Sequence, residues 1–238
     1  MWQQLPRKAA GASLILAPLA GLVAVCAWPP LRASDPAQIA AIAVHPGRWY
    51  VFSLFILLSS YLLVPAVLAL MRVLRPSRPG WANLAGSLAL LGILVSIGDS
   101  ATELMYWQMA ARGANLSQMA ALAARYDAAP GISLIYMAGG IAVLCGMVLL
   151  SAGLWRSRAV PAWAAVGISV ATVVNIVGLS AASVPLAIAS YALMLAALGR
   201  IAVIVLSGSH SAGAEAPAVS AHLPAGAPIK AERSIQAS

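Results

Sequence analysis

Residues 81–107 read WANLAGSLALLGILVSIGDSATELMYW, and this stretch decides the fold. No charged residue stands between Trp81 and Gly98. A bilayer core is about 30 Å thick, and a helix crosses it with roughly 20 apolar residues. The stretch is therefore a membrane span, and the acids Asp99 and Glu103 fall where it should end. The whole chain has only six acidic residues, so two of them four positions apart is a concentration that needs a reason.

Composition extends the reading to the whole chain. Of 238 residues, 62% are hydrophobic and 8% charged, with a mean hydropathy of +0.90. A soluble domain of this size needs several times more charge to cover its surface. Six stretches are long and apolar enough to span, at about residues 10–28, 49–71, 81–106, 132–154, 160–181 and 184–206. Strands of a membrane barrel would alternate apolar and polar residues, and these do not. The expected fold is all-α, a polytopic membrane protein with six transmembrane helices. Residues 1–207 form the transmembrane domain, and 208–238, rich in Ala, Ser, Pro and Gly, form a disordered cytoplasmic tail. The first span also fits a cleaved signal peptide, with Arg7 and Lys8 before an apolar run that ends VCA at 25–27. Its length and the five further spans favour a retained helix.

Charge sets the orientation. An inside N-terminus places Arg7, Lys8, Arg72, Arg75, Arg78, Arg156, Arg158, Arg200, Lys230 and Arg233 on the cytoplasmic side. Arg32, Arg48, Arg112 and Arg125 are then outside, a bias that predicts both termini in the cytoplasm. The expected location is the inner (plasma) membrane, with the lipid bilayer itself as partner. The net charge of +8 points to anionic headgroups at the basic inner turns. Nucleic acid is not expected, because no basic patch is interleaved with aromatics. Cys26 and Cys145 lie in apolar spans without metal-ligand spacing and read as packed, inert thiols.

Two loops resemble each other. Gln38-Ile39-Ala40-Ala41-Ile42-Ala43 matches Gln118-Met119-Ala120-Ala121-Leu122-Ala123 in pattern. Each predicts a short outer helix, entered at Asp35-Pro36 or at Asn115 or Ser117, and each is followed by Pro-Gly. Further on, Pro79-Gly80-Trp81-Ala82 aligns with Pro161-Ala162-Trp163-Ala164 after a basic turn. The three landmarks in order predict a tandem repeat of spans two-three and four-five, related by an axis along the membrane normal.

On a helical wheel, Ala85, Ala89, Gly92, Ser96, Asp99 and Glu103 share one face of the third span. Small residues let a neighbouring helix approach closely in lipid, so the two carboxylates should look into the bundle. At 1.5 Å per residue from Trp81, Asp99 lies roughly 27 Å along and Glu103 about 33 Å, near the outer boundary. Two readings are open there. The acids are a solvated helix end paired with Arg48, Arg112 or Arg125, or they line an outward-facing cavity, with Asp99 the better placed. The positions matching them in the second repeat unit are Ala181 and Pro185, so symmetry does not demand acids. Asn175 and Tyr61 read as interhelical hydrogen-bond partners. His45, before the second span, reads as a solvated or capping group that reaches Asp99 only if the loop folds over the bundle.

No Ser/His/Asp set, HExxH motif or Gly-rich phosphate loop is present, and no cofactor or metal is expected. His210 and His222, in the tail, are too sparse for a metal site. The chain resembles a bacterial family of six-helix integral membrane proteins known as a domain of unknown function. What carries the resemblance is RKAAGASLILAPLAGLVAV at 7–25, AQIAAIAV at 37–44, ALMRVLRPSRP at 69–79 and SRAVPAWAAVGISVATVVNIVGL at 157–179. It implies fold and location, and no catalytic residues. Three functional readings follow: a non-enzymatic accessory or partner-binding protein, first; a small transporter or ion-coupled carrier using the outer acids; and, least supported, a lipid-modifying enzyme. Asp99 beside His45 and Tyr61 in one cavity would raise the last.

Overall fold

Prolines set where the helices begin. Pro46, Pro79 and Pro130 each occupy the first helical position, where a missing N–H costs nothing, and Pro161 immediately precedes another start. The computed structural model describes residues 6–29 and 35–207, without the side chains of 35–37. The tail at 208–238, with His210 and His222, lies outside the described residues. In chain order the helices are α1 (Arg7–Ala27), α2 (Asp35–Val44), α3 (Pro46–Leu74), α4 (Pro79–Met109), α5 (Leu116–Asp127), α6 (Pro130–Ser157), α7 (Ala162–Ser180) and α8 (Val184–Ser207). No strand occurs among the described residues.

Six of these helices are long and apolar enough to cross a bilayer: α1, α3, α4, α6, α7 and α8. The chain has the build of a multi-pass membrane protein. α3, α4 and α6 run two or three residues past the expected spans at each end, and α7 falls short of its expected span. α4 carries Asp99 and Glu103 inside its helical ladder, ten and six residues before its end at Met109. Asn115, not Ser117, caps α5: its Oδ1 accepts from the Gln118 amide at 3.3 Å, while the Ser117 hydroxyl donates to the same oxygen.

The six long helices form a ring. Going round it, α1 packs on α3, α3 on α4, α4 on α6, α6 on α7, α7 on α8, and α8 on α1. Each neighbour runs opposite to the last. One end of the ring carries α2 and α5, which pack on each other, and is called the cap end below. The other carries the turns with Arg75, Arg78 and Arg158 and is called the basic end. Leu16, Leu58, Leu91, Leu94, Leu134, Ile141 and Val170 point outward all round the ring, which suits a solvent of lipid tails. Trp155 and Trp163 are exposed at the basic end, where an interfacial belt belongs.

Packing differs between the two ends. At the basic end a dry apolar core of Leu14, Leu70, Leu74, Leu150, Leu154, Ile168, Leu198 and Ile201 is fully buried. Between α4 and α6 the contact is backbone to backbone, because Gly92, Gly139 and Gly146 leave no side chain in the way. This is the small-residue face seen on the wheel. At the cap end a second cluster joins Trp28, Ile39, Ile42, Trp49, Phe52, Tyr106 and Ala123, tying α2 and α5 to the mouth of the ring.

Two expectations need correction. Cys26 and Cys145 are free but exposed, not packed: both face away from the ring. The Cys145 position shows why, since Gly146 next to it takes the contact with Ala89. Tyr61 is 56% exposed and also points out of the ring. It stands one residue past Ser59 and Ser60, which take the inward direction and make the interhelical hydrogen bonds expected of Tyr61.

Candidate functional site: two stacked cavities at the cap end

Asp99 and Glu103 line one cavity at the cap end, with a volume of about 260 Å³. Its other walls are Trp28 at the end of α1, Gln38 on α2, Trp49, Phe52 and Ile56 on α3, Ser100 on α4 and Leu179 on α7. The local sequence explains the gathering. Residues 49, 52 and 56 recur at three- and four-residue steps on α3, as 99, 100 and 103 nearly do on α4. Hydrogen bonds fix the walls: Trp49 Nε1 donates to the Glu103 carbonyl oxygen at 3.1 Å, and Arg48 donates to the Trp28 carbonyl oxygen at 3.3 Å. Trp28 stacks on Phe52 with centroids 5.8 Å apart, and Trp49 meets Phe52 at 5.3 Å with a 55° tilt. The three rings make an aromatic corner facing the two acids.

The charge in this cavity is unbalanced. Among the described residues no arginine stands in ion-pair contact with Asp99 or Glu103: Arg48 is turned to Trp28, and Arg125 donates to the Ala121 carbonyl oxygen on its own helix. Asp127, whose carboxylate accepts from the Tyr106 hydroxyl at 2.5 Å, is a further acid close enough to act on Glu103. Asp99 is exposed at the rim, and Glu103 is the more enclosed of the two. Two buried polar atoms on the lining residues, Glu103 Oε2 and Trp28 Nε1, have no hydrogen-bond partner. Trp28 as a whole is only 6% exposed. A buried polar atom left unpaired costs about 1–3 kcal/mol, so both are poised to accept a partner.

A second cavity of about 80 Å³ lies deeper, at the centre of the ring. All six long helices line it, through Pro18, Ser59, Leu63, Ile93, Val143, Met147, Thr172, Asn175, Ser190, Tyr191 and Met194 among others. Asn175 Nδ2 donates to Ser190 Oγ at 3.1 Å, joining α7 to α8, a bond worth roughly 0.6 kcal/mol and at most about 2. Ser59 donates to the Ala17 carbonyl oxygen at 2.8 Å, next to Pro18, whose ring removes one amide from the α1 ladder at this depth.

The two cavities stack along the ring axis. One helical turn separates Ile56 from Ser59 on α3, and Leu179 from Asn175 on α7. Between them the hydroxyls of Ser60 and Ser100 meet at 3.1 Å. Below the central cavity the dry core of the basic end begins.

The structure thus brings Asp99 and Glu103 together and places Asn175 one cavity deeper. His45 is exposed in the N-cap position of α3, makes no side-chain cap bond, and lines neither cavity. Tyr61 faces outward. Asp99, His45 and Tyr61 do not share a cavity, so the structure adds nothing to the lipid-enzyme reading. Sequence reasoning missed Trp28, Trp49, Phe52, Ser100 and Asp127. The available signal was that Trp28 and Trp49 end two spans at the same membrane surface, which placed their rings near Glu103. Among the described residues no three His, Cys, Asp or Glu side chains come together as metal ligands. No protein-family model matches the chain, and neither the curated proteins nor the solved structures give a match.

Proposed function

We propose that this chain is a small carrier that admits its solute from the cap end, with the cap outside the cell and both termini in the cytoplasm of a bacterial inner membrane. The observation that carries this is the pair of stacked cavities, open towards the acids and closed below by the apolar core of the basic end. An accessory protein acting through its outer surface has no need of two cavities stacked inside its own bundle. A carrier caught in one of its alternating states needs one on one side only. Midplane cavities where all helices converge are also where carriers hold solute. The family resemblance in the sequence fits this placement but supplies no activity.

Orientation has its own support. Arg72, Arg75, Arg78, Arg156 and Arg158 all lie towards the end opposite α2 and α5, as the positive-inside bias asks. The α2–α3–α4 and α5–α6–α7 units follow each other round the ring in the same direction, which supports a tandem repeat. With Cys26 and Cys145 replaced by serine, Ser117→Cys is expected to react with a membrane-impermeant maleimide added to intact cells. Ser77→Cys should react only after the cells are opened. The reverse pattern would invert the orientation.

The test of transport is uptake by proteoliposomes carrying the purified chain, with a panel of small cationic solutes. Uptake above that of protein-free liposomes is expected for at least one solute. Ser100→Leu, which puts a bulky side chain where Ser100 meets Ser60 between the cavities, should reduce it to background. Absence of uptake across the panel would return the accessory reading to first place.

A further inference from the structure

We infer that the cap-end cavity is a binding site for a small organic ammonium ion carrying a hydroxyl or similar acceptor, held between Glu103 and the aromatic corner of Trp28, Phe52 and Trp49. The inference rests on the carrier reading only for the side from which the ion enters. Chemistry narrows the ligand in three steps.

The sign of charge comes first. Asp99 and Glu103 line the cavity, Asp127 lies nearby, and among the described residues no basic side chain lines it. A site whose described polar lining is carboxyl groups without a basic partner suits a cation better than an anion.

Size and surface come next. A bare divalent metal needs several oxygen or nitrogen ligands at about 2.0–2.6 Å, and among the described residues no such group of three exists. The cavity of about 260 Å³ is far larger than a dehydrated ion, and Trp28, Trp49, Phe52, Ile56 and Leu179 make most of its lining. A strongly hydrated inorganic cation would lose water against this wall and gain little. An organic ammonium is weakly hydrated, buries its carbon atoms on the same surface, and is attracted by the negative faces of aromatic rings.

The unpaired atoms supply the third step. Glu103 Oε2 is a buried acceptor without a donor, and Trp28 Nε1 a buried donor without an acceptor. A simple alkylammonium answers only the first. A ligand that also places an oxygen within reach of the indole N–H answers both, as an amino alcohol with an N–H does. A choline-like ion has no N–H, so it offers Glu103 its charge and the indole N–H its hydroxyl oxygen.

The experiment is a binding titration on the full-length chain in lipid nanodiscs, followed by tryptophan fluorescence and calorimetry. The probes are choline, tetramethylammonium, sodium chloride and 3,3-dimethyl-1-butanol, the last being the uncharged carbon copy of choline. Choline is expected to bind at least about tenfold more tightly than its neutral copy, the factor a desolvated cation–π contact supplies. It should also bind more tightly than tetramethylammonium, which lacks the hydroxyl. Phe52→Leu should weaken choline by about tenfold and leave the neutral copy unchanged. The comparison of ligands on the wild-type chain needs no variant to fold. Equal binding of choline and its neutral copy, or no binding of choline, would overturn the inference. If proteoliposomes then still take up another solute, the carrier reading stands without it. Selective binding of choline with no uptake of any solute would leave the ligand class in place and remove the carrier.

Discussion

Glu103→Gln is expected to lower uptake of the cationic solute by ten- to a hundredfold, while Glu103→Asp retains a measurable fraction. The amide keeps the shape of the carboxyl group and its packing against Trp49, whose indole donates to the Glu103 backbone and not to its side chain. What the substitution removes is the charge. A hydrogen bond to a charged group is worth about 1.5–3 kcal/mol, which is roughly the stated factor in affinity. Asp99→Asn should have a smaller effect, about threefold, because water at the exposed rim screens its charge. The measurement is initial uptake at several solute concentrations, so that an affinity change is separated from a change in maximal rate. Equal uptake by Glu103→Gln and the wild-type chain would remove Glu103 from the site.

The ranking of the two acids shows what was legible in the sequence. Wheel geometry placed Asp99 and Glu103 on the inward face of α4 beside Ala85, Ala89 and Gly92, and those small residues are indeed buried against α6. Depth along the helix favoured Asp99, since it lies closer to the bilayer centre. Counting rise per residue assumes a uniform surround, however. The cap of α2 and α5 encloses the outer end of α4, so Glu103 is more enclosed than Asp99 although it is further out. Burial here is set by helices distant in sequence, which a wheel drawn for one helix cannot contain.

The same limit explains Tyr61 and the aromatic corner. A lone polar residue in an apolar span invites an interhelical partner, but Ser59 and Ser60 sit beside Tyr61 and only one direction faces inward. Three of the cavity's walls, Trp28, Trp49 and Phe52, carried no signal that set them apart within their spans. Their role arises because α1 and α3 pack side by side, and that pairing is fixed by the order of six helices round a ring. Patterning along the chain specified the six spans and the two short helices, but it read Pro46-Gly47 and Pro130-Gly131 as stops of the short helices, whereas α3 and α6 begin there. It did not specify which span neighbours which.

Gly146→Leu is expected to cause the largest loss of stability of any single change in the ring. A Cβ at Gly146 would lie 2.3 Å from the Ala89 amide nitrogen and 2.6 Å from the Ala89 Cα. These are backbone atoms in the middle of α4 and cannot rotate away. The contact is reciprocal: a Cβ at Gly92 would lie 2.4 Å from the Val143 nitrogen and 2.6 Å from the Gly139 carbonyl oxygen. Overpacking a core that can shift costs about 1–3 kcal/mol. Here relief requires α4 and α6 to separate, losing close contact at Gly92, Gly139 and Gly146 together, and in lipid no hydrophobic effect drives the helices back. The cost should therefore exceed that range and leave little folded protein. Gly140→Leu is the control: nothing lies within 4 Å of its Cβ, and it faces away from α4. Size-exclusion profiles and thermal unfolding in detergent separate the two. Wild-type behaviour of Gly140→Leu with aggregation of Gly146→Leu places the ring's tightest seam between α4 and α6; equal tolerance of both would mean that the seam is looser than its geometry.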